Sequence, residues 1–239
     1  VPGITSPAIT WGFVAETLGQ QFDIYVLDVR GRGLSESSDD LSYSLDAYAD
    51  DVQALTEALE LPSYSVIGHS MGARIGIRLA AKQPAGLHRL VMVDPPVSGP
   101  GRRAYPSKLP WYTDSIAMAR KGCSADDMRA FCPTWTPEQL QLRAEWLHTC
   151  NVHGIVITFH NFHEEDVHQY LSSVRVPTLL MVAGRGDVIR PEDEREMLNR
   201  LPSLLISRVP QAGHMIPWDD EPGFYQALGD FLGAPVARP

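Results

Sequence analysis

A mainly parallel sheet with helices on both faces is the fold class these 239 residues predict, and three observations carry it. Strand-like and helix-like segments alternate in both halves of the chain, the order that folds as successive βα units. The stretch Gly68-His69-Ser70-Met71-Gly72 has the G-x-S-x-G spacing of a sharp turn between a strand and a helix. From Val97 to about Ser172 strands give way to helical segments interleaved with Pro, Trp and Cys, which reads as an inserted helical cap. The expected division is a core of residues 1–96 and 173–239 and a cap of residues 97–172. With 44% apolar residues, a chain of this length can bury one full core.

The opening, Val1-Pro2-Gly3-Ile4-Thr5-Ser6-Pro7, reads as the end of a strand running into a loop. Trp11 to Gln20 has helical spacing, with Trp11, Val14, Ala15 and Leu18 on one side, and Asp23 to Asp28 reads as a strand. Arg30 to Ser35 is a turn. Ser44 can cap a helix carrying Leu45, Tyr48, Val52, Leu55 and Leu59, which Pro62 ends. Ser63 to Ile67 and Ala73 to Ala81 read as the strand and helix that flank the elbow. Glycines suit positions 68 and 72 because the serine between them sits in strained backbone that tolerates little bulk alongside. Leu90 to Val93 is a buried strand closed by Asp94-Pro95-Pro96. Beyond the cap come a strand at Pro177 to Ala183, a helix at Pro191 to Leu201, a strand at Leu204 to Val209, a loop bearing His214, and a helix near Pro222 to Leu232.

This arrangement points to nucleophilic chemistry. A serine hydroxyl attacks only when a base takes its proton, and a carboxylate must hold that base in one tautomer. Ser70 supplies the hydroxyl, and His214, at a glycine-bearing turn after the last strand, supplies the base. The order Ser, Asp, His is that of the α/β-hydrolase fold. Two strand-end aspartates compete for the acid, Asp94 and Asp187, and spacing alone favours Asp187. Two converging N–H donors must hold the oxyanion; the backbone of Met71 and of Ile4 in the opening loop are the expected pair.

Charge and cysteine content exclude other classes. A formal net charge of −9 disfavours nucleic acid and anionic membranes, since acidic surfaces repel phosphate. No apolar run is long enough to span a bilayer, and no signal-peptide pattern precedes the opening residues. Cys123, Cys132 and Cys150, odd in number and irregular in spacing, suit free thiols in a reducing compartment. The expectation is a cytoplasmic enzyme with a small-molecule substrate and no metal or organic cofactor. His163-Glu164-Glu165-Asp166-Val167-His168 mimics a zinc motif, but histidines five apart lie about 140° apart round a helix and do not share a face.

The stretches Leu27-Asp28-Val29-Arg30-Gly31-Arg32-Gly33-Leu34-Ser35, Gly68-His69-Ser70-Met71-Gly72-Ala73-Arg74, Val93-Asp94-Pro95-Pro96-Val97-Ser98-Gly99-Pro100-Gly101-Arg102-Arg103-Ala104-Tyr105-Pro106 and Ala212-Gly213-His214-Met215-Ile216-Pro217-Trp218, with the opening Val1-Pro2-Gly3-Ile4-Thr5-Ser6, resemble the N-formylmaleamate deformylases. These are serine-dependent α/β-hydrolases of aerobic nicotinate degradation, and the resemblance runs through the cap. A related hydrolase acting on (acetamidomethylene)succinate shares Gly-Ile-Thr-Ser and the Gly-Ala-Arg after the elbow. The resemblance implies that the acid is Asp94, ranking it above Asp187, and that the substrate is N-formylmaleamate, released as maleamate and formate. It also implies about three strands of sequence ahead of the opening loop. The third would lie between the strands at 23–28 and 63–67, so a longer natural chain is expected.

A dicarboxylate-like substrate calls for a cation, ideally a bidentate arginine. Arg102 and Arg103 at the start of the cap are the first candidates, with Lys108 and Arg185 behind them, while Arg30 and Arg74 are assigned to structure. Trp111, Trp135 and Trp146 can wall the pocket or pack among cap helices. Two other readings stay open: a carboxylesterase or carbon–carbon bond hydrolase of the same fold, and a ligand receptor on this scaffold with no turnover.

Overall fold

Four parallel strands, β1 (Tyr64–His69), β2 (Leu87–Val93), β3 (Thr178–Ala183) and β4 (Leu205–Val209), lie side by side in that order in the computed structural model, which describes residues 1–236. All six residues of β3 are buried, and the last four of β2 are buried beside them, as expected of strands covered on both faces. The register pairs His69 with Val93, Val93 with Met181, and Ala183 with Val209, so the strands end nearly level. Ladder hydrogen bonds continue one residue past two of these ends. The Ser70 N–H donates to Val93 O at 2.9 Å and the Asp94 N–H to Met181 O at 3.0 Å.

Ahead of this sheet lie a 3₁₀ turn, Ala8–Trp11, and α1 (Gly12–Leu18), which falls within the helix expected at 11–20; the turn before it was not expected. Pro7 starts the turn, and its carbonyl takes the Thr10 N–H, a short-range bond that competes with the helical one. The expected strand at 23–28 does not form. Backbone becomes strand only by pairing with a neighbour, and this segment pairs with none among the described residues. The free side of β1 is met instead by Val1, whose N–H group donates to Ile67 O at 2.7 Å and whose carbonyl accepts from His69 N at 3.1 Å.

α2 (Leu45–Ala58) is capped by Ser44, whose hydroxyl accepts from the Ala47 N–H, and it lies against α3 (Met71–Lys82). α3 in turn covers β1 and β2, which is why Met71, Ala73, Ile75, Ile77, Leu79 and Ala80 are all buried on it. Gly76 lets it approach closely, since a Cβ there would meet Leu90 Cδ1 at 2.7 Å.

Between β2 and β3 the chain is helical: α4 (Leu109–Arg120), α5 (Ala125–Met128), α6 (Pro137–Trp146) and α7 (Val152–Glu164), then a 3₁₀ segment Val167–Ser173. Its closing end is tied to its opening by buried Arg74 of α3. That side chain donates to the carbonyls of Pro96 and Ser98 on one side and of Asn161 and Glu165 on the other. α8 (Pro191–Arg200) follows β3. After β4 a short turn, α9 (Ile216–Asp219), precedes α10 (Glu221–Leu232), which Asp220 caps by accepting from Gly223 N.

Candidate active site

Ser70 stands at the end of β1 with φ 53° and ψ −116°, a region few side-chain-bearing residues enter. Its neighbours are glycines for steric reasons. A Cβ at Gly68 would lie 2.1 Å from Gly72 O, and one at Gly72 would lie 2.0 Å from Val1 O. Asp94, at the end of β2, also has positive φ, 46°, and its side chain is fully buried. One carboxylate oxygen accepts from Ala183 N at 3.3 Å and the other from His214 Nδ1 at 2.7 Å. On the far side of the ring, His214 Nε2 lies 3.0 Å from Ser70 Oγ. An imidazole whose Nδ1–H is held by a carboxylate has a lone pair on Nε2, directed here at the serine hydroxyl.

His69 holds the loop from behind. Its Nε2 donates to the His214 backbone carbonyl at 2.9 Å, and burial pushes its pKa down to about 3, so it stays neutral beside His214. Its ring is packed against Trp11 and Trp218.

The backbone N–H of Met71 opens α3 and that of Ile4 belongs to the opening loop. Neither finds a backbone or side-chain acceptor among the described residues. The Ile4 loop is pinned by two buried arginines. Arg32 Nε donates to Ile4 O at 3.0 Å, and Arg143 donates to the Thr5 carbonyl at 3.2 Å and its hydroxyl at 3.3 Å. Gly3 to Ser6, His69, Ser70 and His214 form one side of a cavity of about 340 Å³, whose other side is made by residues of α4 and α6 and their flanks.

A family model described as the alpha/beta hydrolase fold matches residues 2–221. The chain belongs to the α/β-hydrolase family. Among its relatives is the N-formylmaleamate deformylase of Pseudomonas putida, 66% identical over 236 residues, which span 99% of this chain and 88% of the relative. The crystal structure of the N-formylmaleamic acid deformylase from Pseudomonas putida S16, as a serine-to-alanine variant, superposes with a TM-score of 0.91 at 54% identity, covering 95% of this chain and 89% of that one. E-2-(acetamidomethylene)succinate hydrolase, 21% identical, matches at 0.79 over 98% of this chain and 90% of its own, a likeness of fold.

This hydrolase places its charged residues differently from several of the expectations. Asp187 is exposed, pairs with Arg190 at 2.7 Å, and makes no contact with His214. Arg102 is tied to Asp166 at 2.9 Å and to Glu196, and Arg103 to Asp193 at 2.8 Å and the carbonyls of Asp187 and Val188; neither lines the cavity. Both guanidinium groups are neutralised by carboxylates that lie far away in sequence, so they have no charge to offer a ligand. Lys108 and Arg185 are exposed and also outside the lining. Arg30 pairs with Asp51, and Arg74 spends its donors on four carbonyls.

The cation at the cavity is Arg143, which no motif marked. It is 2% exposed, has no carboxylate partner among the described residues, and its Nε finds no acceptor. Its guanidinium carbon lies 5.3 Å from the Trp111 ring centroid and 5.6 Å from that of Trp135. Both rings line the cavity with it, and Trp135 stacks on Trp218 at 5.1 Å. Trp146 lies outside the lining. A signal was present, since Leu140, Arg143, Ala144 and Leu147 form one helical stripe, and an arginine inside an apolar stripe is a buried charge.

Among the described residues no group of three His, Cys, Asp or Glu side chains is arranged to hold a metal. His163 is engaged with backbone instead: its Nδ1 lies 3.1 Å from Phe159 O and its Nε2 accepts from the Tyr105 N–H at 3.4 Å. The three cysteines are unpaired. No helix among the described residues is long and apolar enough to cross a membrane.

Proposed function

We propose that this enzyme hydrolyses N-formylmaleamate to maleamate and formate through a formyl-enzyme on Ser70. The observation that carries the reading is the hydrogen-bonded line Asp94, His214, Ser70 opening into a cavity whose far wall presents an unneutralised arginine. Its substrate comes from the 66% identical relative.

Ser70 Oγ attacks the formyl carbon as His214 Nε2 takes its proton, and Asp94 stabilises the imidazolium through Nδ1–H. The carbonyl oxygen becomes an oxyanion held by the N–H groups of Ile4 and Met71. The C–N bond then breaks with protonation of the departing amide nitrogen. Water, deprotonated by His214, releases formate from Ser70. Arg143 holds the maleamate carboxylate in a dry aromatic setting, where an ionic hydrogen bond is far stronger than in water. Residues 97–172 act as a cap that carries substrate recognition, and residues 1–96 with 173–239 as the core that carries the triad and the oxyanion donors. The chemistry is complete without metal or cofactor. Free thiols support a cytoplasmic setting, and a net charge of −9 supports a small-molecule substrate over nucleic acid.

The test is formate release from synthetic N-formylmaleamate by the purified protein, set against turnover of nitrophenyl esters and of meta-cleavage dienes. Formate release that disappears in Ser70→Ala is expected. Turnover confined to esters or dienes would overturn the substrate.

A further inference from the structure

Tyr105 is the one cavity residue whose hydroxyl competes with the nucleophile for the base. Its Oη lies 3.0 Å from His214 Nε2, the same separation as Ser70 Oγ. The hydroxyl-bearing residues Ser70, Ser107 and Tyr112 line the same cavity as Tyr105. Tyr105 is held at both ends. Its ring meets Phe162 edge-on at 5.5 Å, and its backbone N–H is the one that His163 Nε2 accepts. Such a tether fixes the hydroxyl within the tolerance that proton transfer needs.

Nε2 has one lone pair, so it accepts a proton from one hydroxyl only. When Ser70 donates, as attack requires, the Tyr105 proton must turn to another acceptor, and a substrate atom in the cavity that Tyr105 lines is within its reach. Once Nε2 carries the serine proton, the Tyr105 oxygen is its nearest acceptor apart from the acylated Ser70 oxygen. A phenol placed in this way accepts on one side and donates on the other.

We propose that Tyr105 is a catalytic residue that relays the proton from His214 to the departing nitrogen of the substrate. The role rests on the serine-hydrolase reading above and extends it to the leaving group. As the C–N bond breaks, its electron pair passes to nitrogen, the Tyr105 O–H proton follows it, and the Nε2–H proton replaces the one lost by Tyr105. Both side chains end neutral and no co-reactant is consumed. Burial holds the Tyr105 hydroxyl well above its ordinary pKa, so the two transfers occur together without a free phenolate.

Tyr105→Phe removes the relay and keeps the ring. The measurement is kcat/KM, which reports the acylation half-reaction, for two amides, N-formylmaleamate and formanilide, and for 4-nitrophenyl formate. All three give the same formyl-enzyme, but nitrophenolate leaves without a proton. Tyr105→Phe is expected to lose roughly 100-fold on the amides, the size of a lost general acid, and to keep its ester activity. An equal fall on amides and ester would mean that Tyr105 only orients His214, and no fall on the amides would mean that Nε2 protonates nitrogen directly; either result overturns the relay. Wild-type activity on formanilide but not on N-formylmaleamate would refute the substrate alone, and the variant is then judged on formanilide. Wild type inert on both amides overturns the relay as well.

Discussion

Two walls face each other across the same cavity, and they are built on different principles. The sheet-edge wall is made of backbone: Ser70 and Asp94 each sit one residue past a strand, each at positive φ, each with its N–H bound to the carbonyl of the next strand. The cap wall is made of side chains from separate elements, Tyr105, Trp111, Trp135 and Arg143, brought together by packing. In the proposed reaction the first supplies the nucleophile, its base and the oxyanion donors, and the second supplies the selecting side chains together with the Tyr105 hydroxyl that serves the leaving group. Two buried arginines make the same contrast within one residue type. Arg74 gives its donors to four carbonyls and is structural, whereas Arg143 keeps an unpaired Nε beside the cavity.

If the sheet-edge wall holds the chemistry, the largest effects must fall there. Ser70→Ala should lower kcat for N-formylmaleamate by roughly 10⁶-fold, as removal of a triad nucleophile does, and leave binding of the unreacted substrate measurable by calorimetry. Asp94→Asn should cost about 10⁴-fold, because a neutral amide stabilises the wrong imidazole tautomer. Asp187→Asn should leave kcat unchanged; the reverse ranking of the two in formate release would move the acid to Asp187. The comparison is sharpened by a change in the cap that avoids the cavity. Arg102→Met should keep kcat/KM near wild type and act on acid stability. Beside Arg102, Glu196 has its pKa held down at about 2, against an ordinary 4.5. A carboxyl depressed on folding stabilises above its unfolded pKa and loses that stability as pH falls from about 4.5 through about 2. Urea titrations at stepped pH should therefore show a shallower loss across that window in Arg102→Met.

The sheet-edge wall was legible in sequence because its signals are local. A glycine-flanked serine between strand and helix, and a histidine after the last strand, declare themselves within a few residues. Spacing alone favoured Asp187 over Asp94, whereas His214 pairs with Asp94; the choice depends on which strand lies beside β1, and the pairing of His69 with Val93 is a tertiary fact. Residues 23–28 have strand composition but find no ladder, because pairing is a property of two segments. Arg102 and Arg103 looked available because the carboxylates that neutralise them, Asp166, Glu196 and Asp193, are 64 or more residues away. Arg143 was readable in principle, as a charge inside an apolar helical stripe, yet what it faces depends on how α6 docks.

The division between the walls is tested most directly at Arg143. The measurement is kcat/KM for N-formylmaleamate and for its methyl ester, which keeps the formyl amide and lacks the carboxylate, in the wild type and in Arg143→Met. Loss of a buried ionic hydrogen bond predicts a fall of about 100-fold on the acid. Because Arg143 also holds the Thr5 loop, some loss is expected on the ester too, but the acid loses far more, so that the wild-type preference for the charged substrate disappears. An undiminished preference for the acid in Arg143→Met would contradict the account and place carboxylate recognition elsewhere.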